Sequence, residues 1–268
     1  MGFYEQKQGT LLYYKSDMIP TPHGFTTRKG GVSTGDFAAL NLGVRRGDDR
    51  ACVLKNYELL GEAVGFDPKK LVGAVQVHKD DVRVVTKEDW GKGLYLHTDY
   101  EADGLVTDVP GTALMVYSAD CGTLLFFDEK TGAVGACHAG WRGTALGIAK
   151  KTVETMTQAF GTKPEDLRVA LGPCIGACCF ETDGDVPAAM REALGADAEE
   201  AITPKGEKYY VNLKAINRLW LLRSGVPAEK IEVSPLCTAC DPETFWSHRR
   251  HGDKRGSLAA VIAAGGRP

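Results

Sequence analysis

The chain has 268 residues and a formal net charge of −3, and 43% of its residues are hydrophobic. The slight negative charge gives no electrostatic reason to expect nucleic acid or a membrane as partner, and no apolar run is long enough to span a bilayer. Because the polar N-terminus lacks the apolar core of a signal peptide, we expect a cytoplasmic protein whose eight cysteines are thiols or metal ligands.

The order of strand-like and helical segments predicts an α+β fold. Runs rich in Val, Leu, Tyr and Phe predict strands at 10–15, 71–78, 82–86, 104–107, 113–118, 124–128, 133–137, 167–171, 209–213, 231–235 and 257–263. Helical periodicity predicts helices ending at 64 and covering 144–160, 186–194 and 213–223. The turn at 130–132 predicts a hairpin. Without a repeat or long linker, residues 1–268 are expected to form one domain.

Three of the predicted strands end at, or just before, residues of types that can bind a metal. The first ends in Gln76 and His78, the second is followed by Asp120 and Cys121, and the third is followed by His138. Zinc accepts imidazole nitrogen and thiolate sulfur, and three protein ligands leave a fourth position for water or substrate. No spacing here is diagnostic, so the pattern by itself leaves a structural role open for each residue.

The segment after His138 has the composition of an anion site. Gly140 and Gly143 let the backbone approach a ligand, and a helix starting at Thr144 would present free N–H groups. Arg142 adds a guanidinium suited to phosphate. The alternative is that Arg142 pairs with a surface carboxylate while the glycines only turn the chain.

The C-terminal part contains one CxxC pair, Cys237 and Cys240, followed by His248 and His251. The two histidines are closer than the spacing of a zinc finger, so the pattern favours buried or turn-forming cysteines over a second metal site. Packing is likewise the expected role of a further group, Cys174, Cys178 and Cys179, and a surface position is expected of His23 and His97.

Several long motifs occur in a fixed order along nearly the whole chain. They are TTRKGGVS (26–33), NLG (41–43), QVH (76–78), SADC (118–121), HAGWRG (138–143), GPCIG (172–176) and CTACDPETFWSHRR (237–250). Together they resemble the multicopper polyphenol oxidase or laccase-domain family, also named peptidoglycan editing factor. The sequence departs from the family pattern at Lys29 and His251, where His and Asp are common, and at the Cys178-Cys179 pair.

The resemblance implies a four-layer α/β/β/α sandwich with mixed sheets and one Zn²⁺ per chain on His78, Cys121 and His138. It implies phosphorolysis of adenosine, inosine and methylthioadenosine, and deamination of adenosine. Copper is the less favoured metal, because the six histidines form no His-x-His pairs. The expected partners are purine nucleosides and phosphate, and a monomer is expected.

Within this hypothesis, the three metal ligands and Asp120 are the catalytic residues, with Asp120 as the general base of deamination. Residues expected to bind substrate or phosphate are Arg28, Asn41, Gln76 and Arg142. Two other hypotheses remain. One is a cysteine hydrolase or amidase of peptidoglycan precursor editing, with Cys121 as nucleophile and His138 as base. The other is a non-catalytic, zinc-stabilised binding protein with four protein ligands.

Overall fold

The computed structural model of the protein describes residues 2–265. The strands are β1 (Phe3–Gln8), β2 (Leu11–Ser16), β3 (His23–Thr26), β4 (Leu71–Val72), β5 (Val82–Val84), β6 (Gly104–Thr107), β7 (Ala113–Ser118), β8 (Gly122–Asp128), β9 (Val134–Ala139), β10 (Leu167–Leu171), β11 (Glu181–Thr182), β12 (Ile202–Lys205), β13 (Lys208–Val211), β14 (Ile231–Val233) and β15 (Leu258–Ala263). The helices are α1 (Arg50–Val64), α2 (Trp141–Leu146), α3 (Ile148–Phe160), α4 (Asp185–Leu194), α5 (Leu213–Arg223) and α6 (His248–His251).

Two six-stranded sheets and one small sheet form the β structure. The first sheet has the order β1-β2-β3-β15-β7-β4, the second β14-β10-β8-β9-β6-β5, and the small sheet β11-β13-β12. Both large sheets are mixed, since β4–β7, β5–β6 and β10–β14 pair in parallel and their other neighbours are antiparallel. The predicted α+β class with mixed sheets is therefore confirmed.

Three apolar clusters hold the large sheets and helices together. The first joins side chains from both large sheets, including Phe25, Leu114 and Leu125. The second contains Met156 of α3 together with side chains of the second sheet, and the third contains Leu60 of α1 with side chains of the first sheet. No helix within residues 2–265 is long and apolar enough to cross a membrane.

Several predicted boundaries agree with the structure within two residues, and two predicted elements differ most. The strands at 104–107, 113–118 and 167–171 and the helix at 213–223 match, and β8 and β9 form the predicted hairpin. The helix predicted at 144–160 starts earlier, at Trp141, and is divided at Gly147, whose φ of 80° lies in the left-handed region. The strand predicted at 71–78 ends at Val72.

The expectation that His23 lies at the surface is wrong. His23 is completely buried in β3, where its Nε2 accepts a hydrogen bond from Ser16 N and its Nδ1 lies 2.8 Å from Thr21 O. Burial is the main cause that lowers the pKa of His23 to about 4. This histidine is therefore a neutral ring that joins two chain segments inside the fold.

Candidate active site

The candidate metal ligands come from both large sheets and one loop. His138 belongs to β9, Cys121 lies between β7 and β8 where the chain passes from the first sheet to the second, and His78 lies in the loop after β4. One ligand atom of each residue lies within 4.8 Å of the other two. The two imidazole rings are 4.7 Å apart and nearly perpendicular, at 89°. The structure thus brings together the three residues that the sequence places far apart.

Asp103 is the residue that organises this cluster. It is completely buried, and its Oδ1 lies 2.8 Å from Nδ1 of His138. Its Oδ2 accepts hydrogen bonds from the backbone N–H groups of Val77 and Lys79, on either side of His78. One carboxylate therefore fixes the ring of His138 and the backbone at His78, and it leaves Nε2 of His138 free for a ligand.

His78 of the cluster and Asp120 beside Cys121 adopt left-handed backbone conformations, which are unusual for residues other than glycine. The φ angle is 62° at His78 and 92° at Asp120. Such conformations cost about 1–3 kcal/mol each and persist where the surroundings hold them. The Asp103 carboxylate holds the peptides around His78, and the N–H of Ile175 donates to Asp120 O at 2.8 Å. The fold thus stabilises a backbone that directs these side chains to one point.

The electrostatics of the cluster favour an ionised thiol. Burial raises the pKa of Cys121, but the charge and hydrogen bond of His138, followed by those of His78, outweigh burial and lower it to about 6. Burial lowers the pKa of His138, whereas Cys121 and Asp103 raise it to about 9. Burial raises the pKa of Asp103, whereas the hydrogen bonds from His138 and from the Lys79 and Val77 amides lower it. The net effect is a lowered pKa.

Gly140 leaves the space that a ligand of the cluster needs. A Cβ atom at this position would lie 2.8 Å from Cδ2 of His78, 3.3 Å from Sγ of Cys121 and 3.5 Å from Cε1 of His138. Two imidazoles and one thiolate around this space are a donor set that suits a borderline-soft ion such as zinc. The cluster is therefore compatible with a bound metal ion.

The Asp120 carboxylate is engaged by three donors. Its Oδ1 accepts a hydrogen bond from Thr238 Oγ1 at 2.6 Å, and its Oδ2 accepts from Ser247 Oγ at 2.9 Å and Arg249 N at 2.7 Å. To serve as a general base, the carboxylate would have to release these donors. The contacts support a positioning role beside Cys121, and the role of base stays a prediction.

Two of the predicted substrate-binding residues have their polar atoms engaged by the protein. Asn41 is completely buried, and its Oδ1 accepts from Gly43 N and Ser257 N. Gln76 exchanges two hydrogen bonds with the backbone of Tyr117. Gln76 nevertheless lines a cavity, described below, whereas the contacts of Asn41 support a role in holding the chain.

Arg28 is also anchored within the fold. Its guanidinium donates to the carbonyls of Ala38 and Pro242, and it stacks 3.9 Å from the ring centroid of Trp246. Its Nη1 lies 3.1 Å from Nε2 of His251. His251 thus provides an acceptor for this arginine.

A cavity of about 250 Å³ lies next to the segment that carries His78. Gln76, Tyr117, Arg45 and Arg46 are among its lining residues. Its volume is just below the roughly 300–1,000 Å³ typical of small-molecule sites. A polar amide, a phenol and two cationic side chains give it the chemistry to contact a polar ligand.

Arg255 is a functional candidate that the sequence analysis missed. Its Nε is buried without a hydrogen-bond partner among residues 2–265. Burial and then the charge of Arg46 lower the pKa of Arg255, and the negative charges of Asp120 and Cys121 oppose this. Arg255 stands in a polar segment with several basic residues, and Asp103 is the last of three closely spaced acids before a strand, so neither residue carried a distinctive sequence signal.

The predicted anion site differs from expectation in one respect. The glycines of the 140–143 segment do not form a separate loop, since Gly140 caps α2 and the helix begins at Trp141. Arg142 is exposed, and its guanidinium stacks 4.2 Å from the ring centroid of Trp141. Gly143 lies against the carbonyl of Lys79, so the start of α2 is close to the loop that carries His78.

The chain is similar to one family over nearly its whole length. The model of the multi-copper polyphenol oxidoreductase laccase family matches residues 22–265. The purine nucleoside phosphorylase YlmD of Geobacillus stearothermophilus is 41% identical over 97% of this chain and 96% of its own. The enzyme of the same name from Bacillus subtilis is 39% identical over 89% of this chain and 87% of its own. The crystal structure of YlmD from Geobacillus stearothermophilus superposes with a TM-score of 0.91 at 37% identity, over 97% and 98% of the two chains.

Proposed function

Because the chain belongs to the multi-copper polyphenol oxidoreductase laccase family, and its relatives are named purine nucleoside phosphorylases, we propose that it cleaves purine nucleosides with phosphate. The observation that carries the proposal is the convergence of His78, Cys121 and His138. A cavity with basic residues is lined by Gln76 of the segment that also carries His78. In phosphorolysis, a phosphate oxygen bonds to C1′ of the ribose while the bond from C1′ to the base breaks. The base leaves with the bonding electrons and takes up a proton, and ribose 1-phosphate is the second product.

The site's own residues supply binding and orientation. We assign part of the nucleoside to the cavity lined by Gln76 and Tyr117, and phosphate to the positive charge of Arg142 and Arg255. Asp103 orients His138 through its Nδ1. We propose that this site holds one Zn²⁺ on His78, Cys121 and His138, where a bound zinc ion would polarise a group on the substrate or lower the pKa of water.

The domain and layer organisation is part of the proposal. We propose that residues 1–268 form one domain and that its layers follow the order helix, sheet, sheet, helix. The three apolar clusters support this order, since one lies between α1 and the first sheet, one joins the two large sheets, and one lies between α3 and the second sheet.

A product analysis tests the proposed reaction. Zinc-loaded protein with adenosine and phosphate is expected to release adenine and to consume one phosphate per base, and inosine and methylthioadenosine are expected to react likewise. Formation of inosine from adenosine without phosphate would identify the predicted deamination. Chromatography of the products separates these outcomes. Intact nucleosides after incubation with phosphate and zinc-loaded protein would contradict the proposal.

Replacement of Arg142 by alanine is expected to raise the KM for phosphate by about tenfold or more. Charge-assisted hydrogen bonds contribute about 1.5–3 kcal/mol each, and the KM for the nucleoside should change less. Initial rates at varied phosphate measure the effect. Arg168→Ala is the matched control, because this arginine pairs with Glu129 at the start of β10. Unchanged phosphate kinetics in Arg142→Ala would leave Arg142 with a structural role.

One observation favours a second candidate, the cysteine hydrolase. Cys121 contacts His138, and His138 in turn contacts Asp103. This is the spatial arrangement of the nucleophile, base and orienting acid of a catalytic triad. In that case Cys121 is a free nucleophile and His78 has no ligand role. The metal dependence of the alkylation of Cys121 separates the two.

A further inference from the structure

Four cysteines outside the candidate active site converge at the surface. Sγ atoms of Cys178, Cys179, Cys237 and Cys240 all lie within 4.8 Å of one another. Cys240 is 3.5 Å from both Cys178 and Cys179. The sequence analysis favours packing or turns for these residues, and the two histidines considered with the CxxC pair, at 248 and 251, are not part of the group.

Two turns bring the four thiols together. The turn at 176–180, closed by hydrogen bonds from Cys179 N and Phe180 N to Gly176 O, directs two consecutive cysteines to one side. The CxxC pair lies on a second turn, closed by a hydrogen bond from Cys240 N to Cys237 O. A β-bridge between Cys174 and Cys237 aligns the two turns. Segments about sixty residues apart are thus joined at this cluster.

The arrangement has the dimensions of a tetrahedral metal site. With Zn–S bonds of about 2.3 Å, the sulfurs of a four-thiolate zinc site lie about 3.8 Å apart, close to the spacing observed here. We infer that Cys178, Cys179, Cys237 and Cys240, which lie together in the fold, bind a second zinc ion as a closed, structural site. Binding converts four thiols to thiolates and releases their protons to solvent.

The surroundings of the cluster support thiolate ligands. The backbone N–H of Gly176 donates to Sγ of Cys237 at 3.1 Å. The guanidinium of Arg250 lies 4.0 Å from Sγ of Cys179, and Arg249 donates to the carbonyls of Cys179 and Glu181. Four thiolates around Zn²⁺ carry a net charge of −2, which N–H donors and two nearby guanidinium groups offset.

A disulfide accounts for the cluster less well. A disulfide joins two sulfurs at about 2.05 Å, whereas Cys240 lies equally far from two partners and all four sulfurs lie within 4.8 Å of one another. The site also has a place in the fold. Thr238, within the CxxC turn, donates to Asp120 beside Cys121, so a metal here fixes a segment that contacts the candidate active site.

Zinc content tests the second site independently of any enzymatic activity. The full chain, purified with a reductant, equilibrated with Zn²⁺ and desalted, is expected to hold one zinc more than the Cys178→Ser/Cys240→Ser variant, by mass spectrometry of the metal. The matched control is Cys52→Ser, which removes a thiol of α1 outside both clusters and should hold as much zinc as the wild type. Equal zinc in the folded double variant and the wild type overturns the inference.

A second measurement needs no substitution. Titration of the wild-type chain with Co²⁺ should give, for one of the two equivalents, the intense sulfur-to-cobalt absorption of four thiolates, which a site with a single thiolate does not give. Absence of that absorption overturns the inference even if the double variant fails to fold. A disulfide among the four cysteines, found by peptide mapping of protein purified with glutathione, overturns it as well.

Discussion

The Cys121→Ala protein is expected to lose most of the zinc from the candidate active site, and kcat/KM for phosphorolysis should fall by about a thousandfold. The estimate follows from the loss caused by removing a single group that stabilises the transition state. Metal analysis and steady-state kinetics measure both effects. Cys137→Ala is the matched control, because Cys137 is the neighbour of His138 in β9 but packs in the cluster that contains α3.

Alkylation of Cys121 separates the metal site from the hydrolase. A zinc-bound thiolate should react slowly with iodoacetamide in the metal-loaded protein and faster after chelation. Turnover should stop on chelation and return when zinc is added. A free nucleophile should react at the same fast rate in both states. Rapid, inactivating alkylation of Cys121 in metal-loaded protein would reject zinc ligation in favour of the cysteine hydrolase.

Asp103→Asn is expected to weaken zinc binding at the candidate active site by about 10–100-fold, the usual effect of losing a partner of a metal-bound histidine. In this variant the oxygen of the new side-chain amide can keep the contacts to Val77 N and Lys79 N. The NH₂ group of the same side chain then faces Nδ1 of His138. The histidine proton then moves to Nε2, the atom required by the metal. Competition with a chelator measures the affinity.

The control for this prediction is Asp128→Asn. Asp128 is equally buried and accepts hydrogen bonds from the N–H groups of Lys130 and Thr131, but it lies in the β8–β9 hairpin. It should lose stability without losing affinity for zinc. If Asp103→Asn changes only the thermal midpoint and retains full zinc affinity, Asp103 is structural and does not position a ligand.

The sequence predicts best the elements whose side chains are buried. β7, β10 and α5 have the predicted bounds because hydrophobic residues and turn residues mark both of their ends. β1 was missed because it is a partly exposed edge strand of mixed polarity, and β11 was missed because two residues carry no period. Local patterns therefore identify many strands of the core, but they also miss β3, whose four residues are all buried.

The site could be predicted only in part for a different reason. His78, Cys121 and His138 stand in recognisable motifs, so the trio was found without diagnostic spacing. Asp103 acts through a buried contact with His138, and the last of three closely spaced acids before a strand gives no sign of such a contact. The partners of Cys237 were likewise invisible, since adjacent cysteines at 178–179 do not form a known metal spacing.

The position of β15 in the first sheet sets an order on the maturation of a newly made chain. This strand lies between β3 and β7, so contacts such as Ala260 with Phe25 join segments that are far apart in the sequence and are synthesised at different times. Until residue 263 has left the ribosome, β7 has β4 as its only neighbour among the described strands and leaves its other edge open to wrong pairing. Since Asp120 and Cys121 directly follow β7, the backbone that carries these two residues is supported on both sides only after β15 has paired with β7.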